Sequence, residues 1–300
     1  MIFIPQKSGL AASVIMCILA LALSELPSSA QGRPPGANPG RDLDQLVRAV
    51  MRNEVETQHT DSSLWCFHQQ HQEDGKPNKA LQVCQTRLGD LERTVAVNGQ
   101  ELTREQQQAE DRRLEKLLSH PEQLKAKQKK AREDGEQTEN LLKVFADAFR
   151  FQWEGEYGPF VSIKFKPNPS FRPAARASMV FHHMEGTLVV DERQRRIAEI
   201  DGQLTSEVKF GGGLLGHLDR GGTFHIKQQD VGSGHWEMTL MNVQMNGKVL
   251  FFKSIAVLER NSYSDYTPLP SGASPQQAAA FLRKDVGIST ALAKSSSPSR

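Results

Sequence analysis

Cysteine and histidine are the residues of this chain whose types and spacing could carry chemistry, and Cys66 with Cys84 makes the clearest case. The polar stretch from His71 to Lys79 is centred on Gly75, and a hairpin folded about Gly75 sets Cys66 opposite Cys84. A cross-strand disulfide is the first expectation. Closing a loop of that length adds about 3 kcal/mol on the chain-entropy account. The competing chemistry is a metal site built from Cys66, His68, His71 and Cys84, but both histidines fall toward the loop and the spacing matches no usual zinc pattern.

The other titratable groups are scattered. His182, His183, His217, His225 and His235 share no spacing that builds a metal site, and the carboxylates near strands are Asp191, Glu199, Asp201 and Glu207. Glu199 and Glu207 take the outward parity of their segment and read as solvent-face residues. No Ser, Thr or Cys sits in a recognisable nucleophile elbow. The expectation is a protein that is not an enzyme, with no catalytic residue, no resident metal and no cofactor.

One glycine-rich run, Phe210 to Gly222, interrupts the strand pattern. It lacks the Gly-Lys-Ser/Thr of a phosphate loop and the strand-to-helix crossover of a dinucleotide fingerprint. It carries Leu214, Leu215 and Leu218 on little polar support, so these leucines either tuck back over the sheet or form a mobile lip that touches lipid or a partner.

The elements that must position these residues begin after an N-terminal export signal. Lys7, the apolar run Leu10 to Leu23, the breaker Pro27 and the small residues Ser28 to Ala30 follow the signal-peptide pattern, with cleavage expected after Ala30. The run is shorter than the about 20 residues of a bilayer span, and no other segment is apolar enough, so no membrane-spanning segment is expected after signal removal. The mature chain is therefore expected in the periplasm or outside the cell. Lys plus Arg (37) nearly balances Asp plus Glu (35) for a net charge of +2. The one basic cluster, Lys125 to Arg132, is interleaved with Gln and Ala and reads as a solvated helix face, so no nucleic-acid partner is expected.

Residues 31–41 read as a disordered leader, and 42–266 as a single α+β domain. Apolar residues from Leu43 to Met51 at helical spacing predict a helix from about Asp42 to Glu56. Leu64 to Gln69, Ala80 to Leu88 and Leu91 to Val97 then form an antiparallel meander stapled by the cysteine pair. Asn98-Gly99 closes it, and Thr103 with Gln106 opens a charged helix pair inserted over residues 103–146 and broken at Pro121. From Phe149 onward the period becomes two, and the expected fold class is α+β: a large curled antiparallel sheet, an open half-barrel of about ten strands, with the inserted helix pair and short terminal helices. One long strand is expected from Ile200 through Phe210, a bulge near Met241 or Asn242, and a two-residue hairpin turn at Asn246-Gly247. Residues 267–300 read as a Pro- and Ser-rich tail with a short helix capped by Ser274 and ending near Lys284.

The runs Met184 to Asp191, Ile200 to Leu204, Val208 to Leu218, Gly221 to Phe224, His235-Trp236 and Gly247 to Phe252 resemble a family of exported acidobacterial proteins, and the resemblance reaches back through Leu64-Trp65 and Asn98-Gly99-Gln100. That family has no assigned activity. The architecture is similar to the periplasmic carriers and receptors of outer-membrane lipoproteins, whose unclosed barrels hold acyl chains on an apolar concave face. No functional residue transfers from them one by one.

What the resemblance implies, together with the alternation, is a binding or carrier protein for a lipid or lipidated protein. Its ligand would be lined by Leu204, Val208, Phe210, Phe224, Ile226, Trp236, Met238 and Leu240, which share one parity. The alternative is a structural or interaction module of the cell envelope, with those residues forming a filled core and another envelope protein as partner.

Overall fold

The computed structural model describes residues 42–213, 215–249 and 253–284. The expected signal and leader, Leu214, Leu250 to Phe252 and the end of the tail lie outside the described residues. The fold is α+β: the described residues hold thirteen strands, every pair antiparallel, in a sheet that is not closed into a barrel. This is the expected fold class, with a richer strand count.

The chain divides into two compact units, one with residues 59–133 and 259–284 among those described, the other with residues 42–58 and 134–258.

In the first unit, β1 (Leu64–Glu73), β2 (Lys79–Cys84), β3 (Leu91–Val97) and β4 (Gln100–Glu101) form the meander read from sequence. Gly75, at φ +70°, sits in the turn between β1 and β2, and Asn98 and Gly99 take φ +51° and +76°, the pair of positive values that a tight hairpin turn needs. β13 (Lys253–Leu269) pairs with β1 through its later residues. Helix α2 (Arg104–Ser119) opens with the expected capping box: Thr103 Oγ1 accepts from the Gln106 amide at 3.3 Å, and Gln106 Oε1 accepts from the Thr103 amide at 2.8 Å. Pro121 is the first residue of α3 (Pro121–Ala148), where the missing amide hydrogen costs nothing.

The short helix of the tail is a core element. In α4 (Pro275–Lys284), Ala278, Ala279 and Leu282 are buried with Leu91, Leu114, Leu117, Leu124 and the Cys66–Cys84 pair. Small residues at two of these positions permit close approach, and Ser274 and Gln277 cap the helix reciprocally at 3.2 and 2.8 Å.

In the second unit the strand order is β12-β11-β8-β7-β6-β5, made of β5 (Phe149–Tyr157), β6 (Phe160–Pro167), β7 (Met184–Asp191), β8 (Arg196–Leu204), β11 (Thr223–Asp230) and β12 (Trp236–Val249). The core contains an aromatic cluster: Phe149 lies 4.8 Å from Phe165 and 5.1 Å from Phe181, and Phe145 lies 5.5 Å from Phe165 between ring centres. Helix α1 (Leu43–Thr60) buries Val47, Val50 and Met51, at the spacing that predicted it.

Three expectations are corrected here. The strand expected from Ile200 to Phe210 breaks at Thr205-Ser206, so that β9 (Val208–Phe210) turns away to pair with β10 (Gly216–Leu218). Asn246-Gly247 is no turn: β12 runs straight through it, and Gly247 lies where β10 approaches so closely that an added Cβ would meet the His217 carbonyl oxygen at 2.2 Å. A glycine demanded by close approach carries the same letter as one demanded by a turn. The bulge in β12 falls earlier than expected, at Thr239, since Lys227 pairs with Leu240 and Gln228 with Met238.

Candidate functional site

The Cys66–Cys84 disulfide is present, with the two residues directly paired across β1 and β2. Beside it, His68 Nδ1 lies 3.1 Å from Asp265 Oδ2, and Ser264 Oγ donates to the same oxygen at 2.8 Å. The serine and the histidine thus share a carboxylate instead of meeting each other, and the space beside His68 and Asp265 holds about 20 Å³, about one water molecule. Hydrogen bonds from Ser264 and His68 outweigh partial burial and hold the Asp265 carboxyl below its ordinary pKa. Among the described residues no group of three or more His, Cys, Asp or Glu is placed to hold a metal ion.

The apolar set read from the alternation is largely on one face. Phe224 pairs with Gly202 and Val243, and Ile226 with Ile200 and Met241, which puts them on the face of Leu204; Val208 and Phe210 reach the same face through Leu218 and Gly216 of β10. Leu204, Val208 and Phe210 are buried, Phe224, Ile226 and Met238 half-buried. Leu240 falls on the other face: the extra residue Thr239 shifts the parity, so Leu240 pairs with Lys227, while Met241, Val243 and Met245 take the buried positions. Of the expected lip, Leu218 is a buried strand residue of β10, Leu215 is half-buried, and Leu214 lies outside the described residues.

The second unit also carries an open cavity of about 400 Å³, at the lower end of the about 300–1,000 Å³ usual for ligand sites. Its aromatic wall comes from the β5–β6 turn, where Tyr157 and Phe160 are directly paired with ring centres 5.3 Å apart and Tyr157 is 60% exposed. The turn and strand residues Asp191, Gln194, Ala198 and Glu199 form a second side, and Lys227 to Asp230 with Trp236 and Thr239 a third. Ala198 and Thr239 are the extra residues of two bulges, each the one unpaired residue where the register of β7 with β8 or of β11 with β12 shifts. Bulges re-aim side chains, and here both border the cavity.

Its charges are already engaged. Glu199 Oε1 lies 2.6 Å from His225 Nε2, and its Oε2 lies 3.1 Å from Lys227 Nζ. Burial alone would push the Glu199 carboxyl up, but the hydrogen bonds from Lys227 and His225 outweigh it and hold the pKa below the usual carboxylate range. Asp230 accepts from the Gly232 and Gly234 amides at 2.8 and 3.2 Å and from Gln194 at 3.3 Å; Asp191 accepts from the Gln194 amide at 2.8 Å. Trp236, expected as apolar lining, instead donates through Nε1 to Gln194 Oε1 at 2.8 Å and lies 5.9 Å from the Arg196 guanidinium.

Sequence reading missed Tyr157, Phe160, Gln194, Gln228, Gln229 and Thr239. The available signal was the pair of aromatic residues flanking Gly158-Pro159, a turn that holds both rings on one side of the sheet. The remaining histidines are dispersed: His217 sits 3.3 Å from Asp219, and His183 Nδ1 sits 2.7 Å from Ser206 Oγ.

No protein-family model, no curated protein and no solved structure matches the chain.

Proposed function

We propose that this is an exported, non-catalytic binding protein whose ligand seats in the open cavity bounded by the β5–β6 turn, β8, β11 and β12 of the second unit, rather than against the buried apolar side chains. The observation that carries the reading is the cavity itself: about 400 Å³, open to solvent, with an exposed tyrosine on its wall and hydrogen-bonding residues of separate strands along its lining. The Cys66–Cys84 disulfide supports an oxidising compartment and hence export. Among the described residues no helix is long and apolar enough to cross a membrane.

The earlier carrier idea placed a lipid on the apolar face. Val208, Met241 and Met245 there are at most 1% exposed, which favours the second reading for that face, a filled core in an envelope module. Native mass spectrometry of protein incubated with a detergent-free envelope extract separates these readings. A bound small molecule that disappears in Tyr157→Ala is the expected result. A clean protein mass in the wild type overturns it, and a retained acyl lipid insensitive to Tyr157→Ala moves the site to the apolar face.

A further inference from the structure

Resting on that reading of the cavity, we infer that its ligand is a neutral saccharide. The argument is one of which groups are left over. The three carboxylates and the one lysine of the lining are satisfied within the protein: Glu199 by His225 and Lys227, Asp230 by the Gly232 and Gly234 amides, Asp191 by the Gln194 amide. Lys227 is paired with Glu199, and three carboxylates against one lysine make the lining net acidic, which disfavours a phosphate or carboxylate ligand. The side chains of Gln228, Gln229 and Thr239 and the hydroxyl of Tyr157, by contrast, hydrogen-bond to no partner among the described residues. Neutral amides and hydroxyls, each able to donate and accept, match the hydroxyl groups of a sugar ring.

The aromatic wall completes the match. Tyr157 and Phe160 present adjoining rings, tilted 38° to each other, with Tyr157 mostly in solvent. A sugar has one face of C–H groups that lies on such a ring while its edge hydroxyls turn to the amides. An acyl chain offers these amides and hydroxyls no hydrogen-bond partner in place of the water it displaces.

Titration of the full-length protein with neutral cello- and chito-oligosaccharides, followed by tryptophan emission, tests the inference, since Trp236 borders the cavity. Expected is a saturable change for at least one neutral series, unaltered by added salt because no ion pair is formed. Tyr157→Ala should weaken it about tenfold with the melting temperature unchanged, which checks that the variant folds. Oligogalacturonate and a fatty acid run in parallel. If either of these binds in a Tyr157-dependent way and the neutral sugars do not, the saccharide inference falls while the cavity reading stands. If no probe changes the emission, both fall.

Discussion

The carboxylate of Glu54 meets the guanidinium of Arg196 twice, at 2.9 and 3.0 Å, and also accepts from the Ile197 amide at 2.7 Å. Both side chains are 8% exposed. This pair ties helix α1 to the start of β8, and its removal leaves one charge buried alone. Glu54→Gln is expected to lower the unfolding free energy by about 3–5 kcal/mol, whereas the joint change Glu54→Leu with Arg196→Met should be far milder, because neither charge is then orphaned. Urea unfolding midpoints of the two variants check the order; a double variant as unstable as the single one would contradict it.

Gly186 and Gly202 face each other across β7 and β8, and each is covered by an aromatic ring. A Cβ on Gly186 would meet the Asp201 carbonyl oxygen at 2.0 Å and Phe165 Cζ at 2.8 Å, and one on Gly202 would meet two Phe224 ring carbons at 2.5 Å. Gly155, on β5, has open space instead. Gly186→Ala and Gly202→Ala should each cost about 1–3 kcal/mol through overpacking, while Gly155→Ala should be close to neutral. Thermal melts of the three proteins side by side give the comparison.

Removing the disulfide frees a loop with a sequence separation of 18. Cys66→Ala with Cys84→Ala is expected to destabilise the fold by about 3 kcal/mol, and reduction of the wild type by a similar amount. Chemical denaturation with and without reductant measures this, and equal midpoints would show that the meander holds its register without the bridge.

Acid should act in two stages. Burial first, then the charge of Arg172, pulls His182 below its ordinary pKa, and burial with the neighbouring His182 does the same to His183. The unfolded chain therefore takes up these protons at higher pH than the folded one. Their contribution is intact above about pH 6.5 and declines as the pH falls toward the folded-state values. Glu199 and Asp265, both held low, contribute above about pH 4 and lose that contribution as the pH drops through their folded values. Stability against pH should thus fall shallowly below 6.5 and steeply in acid. His182→Gln with His183→Gln should flatten the first stage and leave the second; if it leaves the first stage unchanged, these histidines do not cause it.

Where sequence carries a local physical signal, it was readable. Thr103 with Gln106 gave the start of α2, Leu91 to Val97 the strand β3, and the polar loop about Gly75 the cysteine pairing, because capping, alternation and hairpin closure are decided by near neighbours. The parity of Leu240 was misread because one extra residue, Thr239, inverts everything beyond it, and Thr239 has no property that marks it as the residue left out of register. Gly247 was misread because the strand that crowds it, β10, comes from a glycine-rich run that looks like a loop. The cavity was missed for a related reason. Gln228, Gln229 and Tyr157 look like any solvent-facing positions of a strand, and only pairing between distant strands brings them to one concavity.

The last feature bears on synthesis. The first unit's core is finished by Ala278, Ala279 and Leu282, yet its meander is made far earlier, with all of residues 134–258 translated in between. A nascent chain therefore carries Leu91, Leu114 and Leu117 without their covering helix for that whole interval, a sticky half-core of the kind that chaperones hold. Any chain cut short before Pro275 stays in that condition permanently and is the form expected to be cleared or to aggregate.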